Sequence, residues 1–236
     1  DKPEDVMPFL ENVTRGRGIP RERLESVAEH YYHFGGKSPI NEQNLQLMAA
    51  VREELAKQQL DLPVYFGNRN WHPLMADTLR QMSSDGIKKS LAFFTSAFSS
   101  YSGCRQYREN IIEAQATVGE PAPSVEKLRA FWNHPGFLGP MADSMRVVYA
   151  GLDPQKTAVL FTAHSIPNSM AENCRYELQL KEACSLVAAQ ACVAEYELDY
   201  QSRSGSPHTP WLEPDVCDRI RQLAEAGKTD MVVLPI

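Results

Sequence analysis

An imidazole stands at the end of a mostly apolar run in TAVLFTAHSIP, residues 157–167: His164 is followed by Ser165 and, three residues on, by Pro167. Neutral imidazole binds a divalent metal through one ring nitrogen or takes up a proton near neutral pH, so either role is open to His164. A loop histidine satisfied by hydrogen bonds is the plainer alternative. The fixed φ of Pro167 stiffens the chain just beyond, which favours a ring held in place.

Other residues able to bind or react sit in short polar stretches. Arg15 and Arg17 in NVTRGRGIP form a basic turn whose guanidinium groups suit carboxylates, although solvated surface arginines are commoner. Ser38 in HFGGKSPIN is placed either to cap a helix started by Pro39 or to touch a ligand. FFTSAFSSYSGCRQYREN, residues 93–110, leaves a strand through a serine-rich loop into a helix with Tyr101, Cys104, Arg105 and Tyr107 near its start, an arrangement able to hold an anion. In QSRSGSPHTPWLEPD, residues 201–215, Trp211 reads as a packing anchor.

Familiar catalytic signatures are missing. HSIP lacks the second histidine of a zinc-binding H-x-x-x-H, and no G-x-S-x-G, G-x-G-x-x-G or G-x-x-x-x-G-K-[ST] pattern occurs. Hydride transfer and nucleotide hydrolysis therefore lose their usual marks.

The elements that must position these residues come from the apolar pattern. Strand-like runs at 62–68, 90–98, 157–163, 196–202 and 231–236 mostly do not alternate, as expected of strands buried on both faces of a parallel sheet. Amphipathic helices lie between them, with Leu47, Met48, Val51 and Leu55 on one face, then Met75, Leu79 and Met82, then Leu180, Cys184, Val187 and Ala188, then Val216, Ile220 and Leu223. Strand alternating with helix predicts an α/β fold of right-handed βαβ units. The proline-bearing stretch 120–137 marks a crossover between two lobes.

With 236 residues, 43% hydrophobic and 23% charged, the chain has material for a real core. A formal charge of −6 supplies no basic footprint for a phosphate backbone, so nucleic acid is not the expected partner. Five cysteines without a C-x-x-C pair do not read as a disulfide framework and fit a reducing compartment. No apolar stretch approaches the roughly 20 residues of a membrane span, and no secretory leader pattern opens the chain. A soluble, cytoplasmic protein is expected.

Taken in order, ENVTRGRGIP, HFGGKSPIN, YFGNRNWHP, TSAFSSYSGCRQYRENI, FTAHSIP, YQSRSG and PWLEPDV closely resemble the ferrochelatase family, particularly its actinobacterial branch, over Pro3 to Ile236. The resemblance implies a chelatase-type fold of two Rossmann-like lobes, residues 1–130 and 131–236, each a parallel sheet flanked by helices, with a porphyrin cleft between. It implies an enzyme of heme biosynthesis that inserts ferrous iron into a porphyrin with release of two pyrrole protons and without a nucleotide. In this branch the implied substrate is coproporphyrin III and the product coproheme, handed by a monomer to a downstream coproheme decarboxylase. Protoporphyrin IX as substrate, or a non-catalytic tetrapyrrole- or metal-binding relative, are the alternatives.

By the same resemblance His164 lies over the porphyrin as iron ligand, pyrrole base or both, Ser38 and Tyr107 contact the porphyrin, and Arg15 and Arg17 are the basic turn near it. Four propionates require local cations and hydroxyls, which an acidic protein can still supply. The family also has a first strand with a glycine-rich loop and a metal-site glutamate, expected before Asp1 and after Ile236 respectively. Some members of the branch hold a 2Fe–2S cluster, for which Cys104 is the internal ligand candidate and a free thiol the alternative.

Overall fold

The computed structural model describes residues 2–16, 18–203 and 208–236. The chain divides into two compact units, residues 1–90 with 109–126 and residues 91–108 with 127–236.

In the first unit, α1 (Pro3–Val13) and α2 (Arg21–His33) each bury a one-turn pair, Val6 with Leu10 and Leu24 with Ala28. This spacing aligns two side chains on one helical face, and the two faces pack together. Gly36, just past α2, has φ of +71°, and a Cβ there would lie 2.6 Å from Pro3 Cα, so the close approach admits only glycine. α3 (Ile40–Lys57) buries no residue among those described, whereas α4 (Met75–Ser84) buries Leu79 and Met82 against Ala114 of α5 (Gln106–Val118).

Residues 62–68, expected as a strand, form no ladder. Only an isolated bridge joins Asn68 to Leu74, and the carbonyls of Val64 and Phe66 are taken by Arg52 and Thr78 side chains at 2.9 and 2.8 Å. The run expected at 90–98 is a strand only at its start, β1 (Lys89–Ala92), which pairs with β2 (Ser124–Lys127) in a two-stranded sheet. Ser124 N–H bonds Lys88 O and Leu128 N–H bonds Ala92 O, a constant offset that makes the pair parallel.

The second unit is built on a three-stranded parallel sheet in the order β4-β3-β5, from β3 (Thr157–His164), β4 (Glu197–Gln201) and β5 (Asp230–Pro235). β3 is central and buried at every residue but the last, which explains its continuous apolar run. One face, carrying Val159 and Phe161, packs on α6 (Pro135–Tyr149) and α8 (Tyr176–Ala191) through Leu138, Met145, Ala183, Cys184 and Val187. Phe161 is fully buried, a contribution of about 1.5–3 kcal/mol. α9 (Val216–Glu225) lies against β4 and β3. A short α7 (Asn168–Ala171) follows the end of β3. No helix among the described residues is long and apolar enough to cross a membrane.

Candidate functional site

His164 ends β3, at the carboxyl edge of the sheet, the side where open α/β sheets bind ligands. Seven buried residues deliver an exposed imidazole. Its backbone pairs with Gln201 of β4, and the next N–H, of Ser165, donates to Gln201 O at 2.8 Å. The His164 carbonyl accepts the Tyr176 phenol at 3.0 Å. Burial, and after it the neighbouring Cys174, push that phenol up to about 12, so it stays a donor across the physiological range.

The ring is held as well. His164 Nδ1 lies 2.6 Å from the Ser165 carbonyl oxygen. A carbonyl only accepts, so Nδ1 is the donor, and in the neutral ring Nε2 is the nitrogen that carries the lone pair. That tautomer suits a metal or a proton equally.

The loop leaving the strand is clamped to a distant segment. Ser165, 2% exposed, donates its hydroxyl to Leu212 O at 2.8 Å, Leu212 N–H donates to Ile166 O at 3.0 Å, and Asn168 N–H donates to Pro210 O at 3.0 Å. Pro167 and Trp211 form an antiparallel bridge, so Trp211 is an anchor, although its buried indole N–H has no hydrogen-bond partner among the described residues. Tyr176 and Gln201 were not legible as part of this site, because neither sits in a local pattern with His164, and Ser165, although next to it in FTAHSIP, gave no sign of its bond to Leu212.

A cavity of about 700 Å³ opens beside this loop, with Ser169 and Cys174 on one side and Tyr101, Cys104 and Arg105 on the other. Those three belong to a π-helical turn, Tyr101–Arg105, capped where Gly103 N–H donates to Ser100 Oγ at 2.9 Å. Tyr107 follows at the start of α5, its ring 4.5 Å from that of Phe94. The serine-rich loop is pinned by Gln179, which accepts from Ser99 N–H at 2.7 Å and donates to Ser99 Oγ at 3.0 Å.

The remaining sequence candidates lie in the first unit or outside the described residues. Ser38 is half-buried, and its hydroxyl accepts the Ile40 N–H at 3.3 Å, a local cap at the start of α3 with Pro39 at the N-cap position. Arg15 is exposed in the turn after α1, and Arg17 falls outside the described residues.

A 2Fe–2S cluster takes four protein ligands, usually thiolates. Cys104 and Cys174 line one cavity, Cys184 is buried, and Cys192 and Cys217 are exposed. Among the described residues no group of three or more His, Cys, Asp or Glu could hold a metal ion. These residues alone do not make a cluster site.

A family profile described as ferrochelatase matches residues 1–236. A protein of Rhodopirellula baltica named ferrochelatase is 61% identical over 236 residues, 99% of this chain and 67% of its own length. Proteins named coproporphyrin III ferrochelatase from Mycolicibacterium smegmatis and Nocardia farcinica are 51% and 48% identical, across 100% of this chain and 71% and 70% of their own lengths. With the profile matched from end to end and His164 at the ligand edge of its sheet, the chain belongs to the ferrochelatase family.

Proposed function

We propose that this chain inserts ferrous iron into coproporphyrin III, giving coproheme and releasing two pyrrole protons. The observation that carries the reading is His164, whose Nδ1–H is committed to the Ser165 carbonyl, so that in the neutral ring Nε2 is the nitrogen left to take a proton or a metal. Insertion forms iron–nitrogen bonds as two pyrrole N–H bonds break, so the site needs a group that takes protons or holds iron near the ring. Nε2 of His164 can do either.

Iron is the substrate metal, and His164 is its ligand, the pyrrole base, or both. Coproporphyrin carries four propionates, for which Arg15, Arg17, Ser38 and Tyr107 are the proposed cationic and hydroxyl contacts. The names of the Mycolicibacterium and Nocardia relatives support this porphyrin, whereas that of the Rhodopirellula relative specifies none. The proposal includes two lobes, residues 1–130 and 131–236, a monomer working in the cytoplasm, hand-over of coproheme to a decarboxylase, and Cys104 as one ligand of a 2Fe–2S cluster.

Iron insertion by the full-length enzyme, followed by porphyrin absorbance with coproporphyrin III and with protoporphyrin IX in parallel, tests the reading. Faster conversion of coproporphyrin III is expected. Preference for protoporphyrin IX would overturn the substrate, and no insertion into either would overturn the activity.

A further inference from the structure

The His164 ring depends on one neighbour for its orientation. Among the described residues the ring makes a single hydrogen bond, from Nδ1 to the Ser165 carbonyl oxygen at 2.6 Å, and the residue is exposed. A neutral imidazole carries its proton on either nitrogen, and the partner of one decides which is left bare. The tautomer of His164 therefore follows from where the Ser165 carbonyl points.

That carbonyl is restrained because the chain is tied on both sides of it. The preceding peptide group is held at both ends: its His164 carbonyl accepts the Tyr176 phenol at 3.0 Å, and its Ser165 N–H donates to Gln201 O at 2.8 Å. The following residue is held by Leu212, whose N–H donates to Ile166 O at 3.0 Å. Leu212 also offers its own carbonyl, and the donor that meets it is no backbone N–H but the Ser165 hydroxyl, at 2.8 Å. The main chain of Leu212 thus grips residues 165 and 166 by two bonds, and one of the two depends on a side chain. Ser165 is 2% exposed, so water does not reach the position of a lost hydroxyl.

We propose that Ser165 is a positioning residue for His164: its hydroxyl, by tying the chain to Leu212, aims the Ser165 carbonyl at Nδ1 and keeps the neutral ring in the Nδ1–H tautomer. Nε2 is then the nitrogen left for a pyrrole proton or for iron. The hydroxyl acts on the imidazole through the main chain. The tautomer rests on this geometry, and its consequence for turnover rests on the iron-insertion reading.

Nitrogen NMR of the full-length enzyme with ¹⁵N-labelled histidine, recorded without iron and with the ring neutral, reads the tautomer directly. The His164 signals are those lost in His164→Ala. Wild type should show a protonated Nδ1 and a bare Nε2, and Ser165→Ala a mixture of the two tautomers. Ser165→Thr keeps the hydroxyl and should stay nearer wild type. If Ser165→Ala does not fold, Ser165→Cys, which keeps the size and weakens the donor, carries the same comparison. A wild-type ring protonated at Nε2, or a pattern unchanged in the variant without the hydroxyl, would overturn the proposal. So would Ser165→Thr as perturbed as Ser165→Ala, which would trace the effect to packing. In turnover with coproporphyrin III, Ser165→Ala should lower kcat by about 10–100-fold with little change in KM. An unchanged kcat beside a changed tautomer would overturn the positioning role. A wild type inactive with either porphyrin would overturn the iron-insertion reading instead, and the NMR spectra would still decide the tautomer.

Discussion

The Tyr176 phenol donates to the main-chain carbonyl of His164 at 3.0 Å, so a residue at the start of α8 holds the end of β3. Tyr176 is 8% exposed, and its ring meets Phe98 edge-on at a centroid distance of 6.0 Å. Tyr176→Phe keeps the ring and removes the bond, leaving a carbonyl without this partner. The expected cost is about 0.5–1.5 kcal/mol of stability, with a fall in kcat for iron insertion as His164 loosens.

Alkaline titration gives the same variant a second readout. The Tyr176 phenol is raised from 10.0 to about 12, so the folded chain keeps a proton that the unfolded chain loses. Stability from this group is complete below pH 10 and is lost as pH rises toward 12. Cys184, raised from 9.0 to about 12, adds to the decline, and burial raises Tyr200 as well. Denaturation midpoints across this range should therefore fall less steeply for Tyr176→Phe than for wild type. Parallel curves would show that the phenol is not buried as described.

Substitution of His164 separates chemistry from binding. The ring is exposed at a strand end, and its hydrogen bond to Ser165 O joins adjacent residues, so His164→Ala removes little that holds the fold together. In the full-length enzyme, iron insertion should drop by about 10²–10⁴-fold, the scale of a lost acid–base group. Porphyrin affinity, measured by fluorescence quenching, should change far less. Turnover within a few-fold of wild type would remove His164 from the mechanism.

The edge position of His164 was legible because β3 is buried on both faces, which writes an unbroken apolar run that ends at the ligand side of the sheet. β4 and β5 were legible for related reasons and match the expected runs within a residue or two. LPVYFGN at 62–68 has the same composition without the same outcome, because an apolar run states that burial is favourable and not that a ladder partner exists. β2 escaped notice since SVEK is four residues long, charged and at most half-buried. The Ser165–Leu212 clamp joins residues 47 apart through a main-chain acceptor, and a carbonyl leaves no trace in residue identity. Cys104 was named for its loop, but its cavity with Cys174 depends on how the residues after β3 turn back, which no local pattern encodes.

Thiol reactivity checks the packing of the unit that holds His164. Cys184 lies on α8 with no exposure, packed with Phe161 and Val187, and burial pushes its thiol up to about 12. The thiolate is the nucleophile, so at neutral pH an alkylating reagent finds Cys184 both inaccessible and protonated. Cys192 and Cys217 are exposed and should be modified first, with the half-buried Cys104 and Cys174 following. Modification of Cys184 requires α8 to leave the sheet, so its rate should follow opening of the core and rise with denaturant. Peptide mapping by mass spectrometry after timed exposure to iodoacetamide reads each site separately. Modification of Cys184 as fast as that of Cys192 in the native protein would contradict α8 packing on β3, and with it the support that Tyr176, on the same helix, gives to His164.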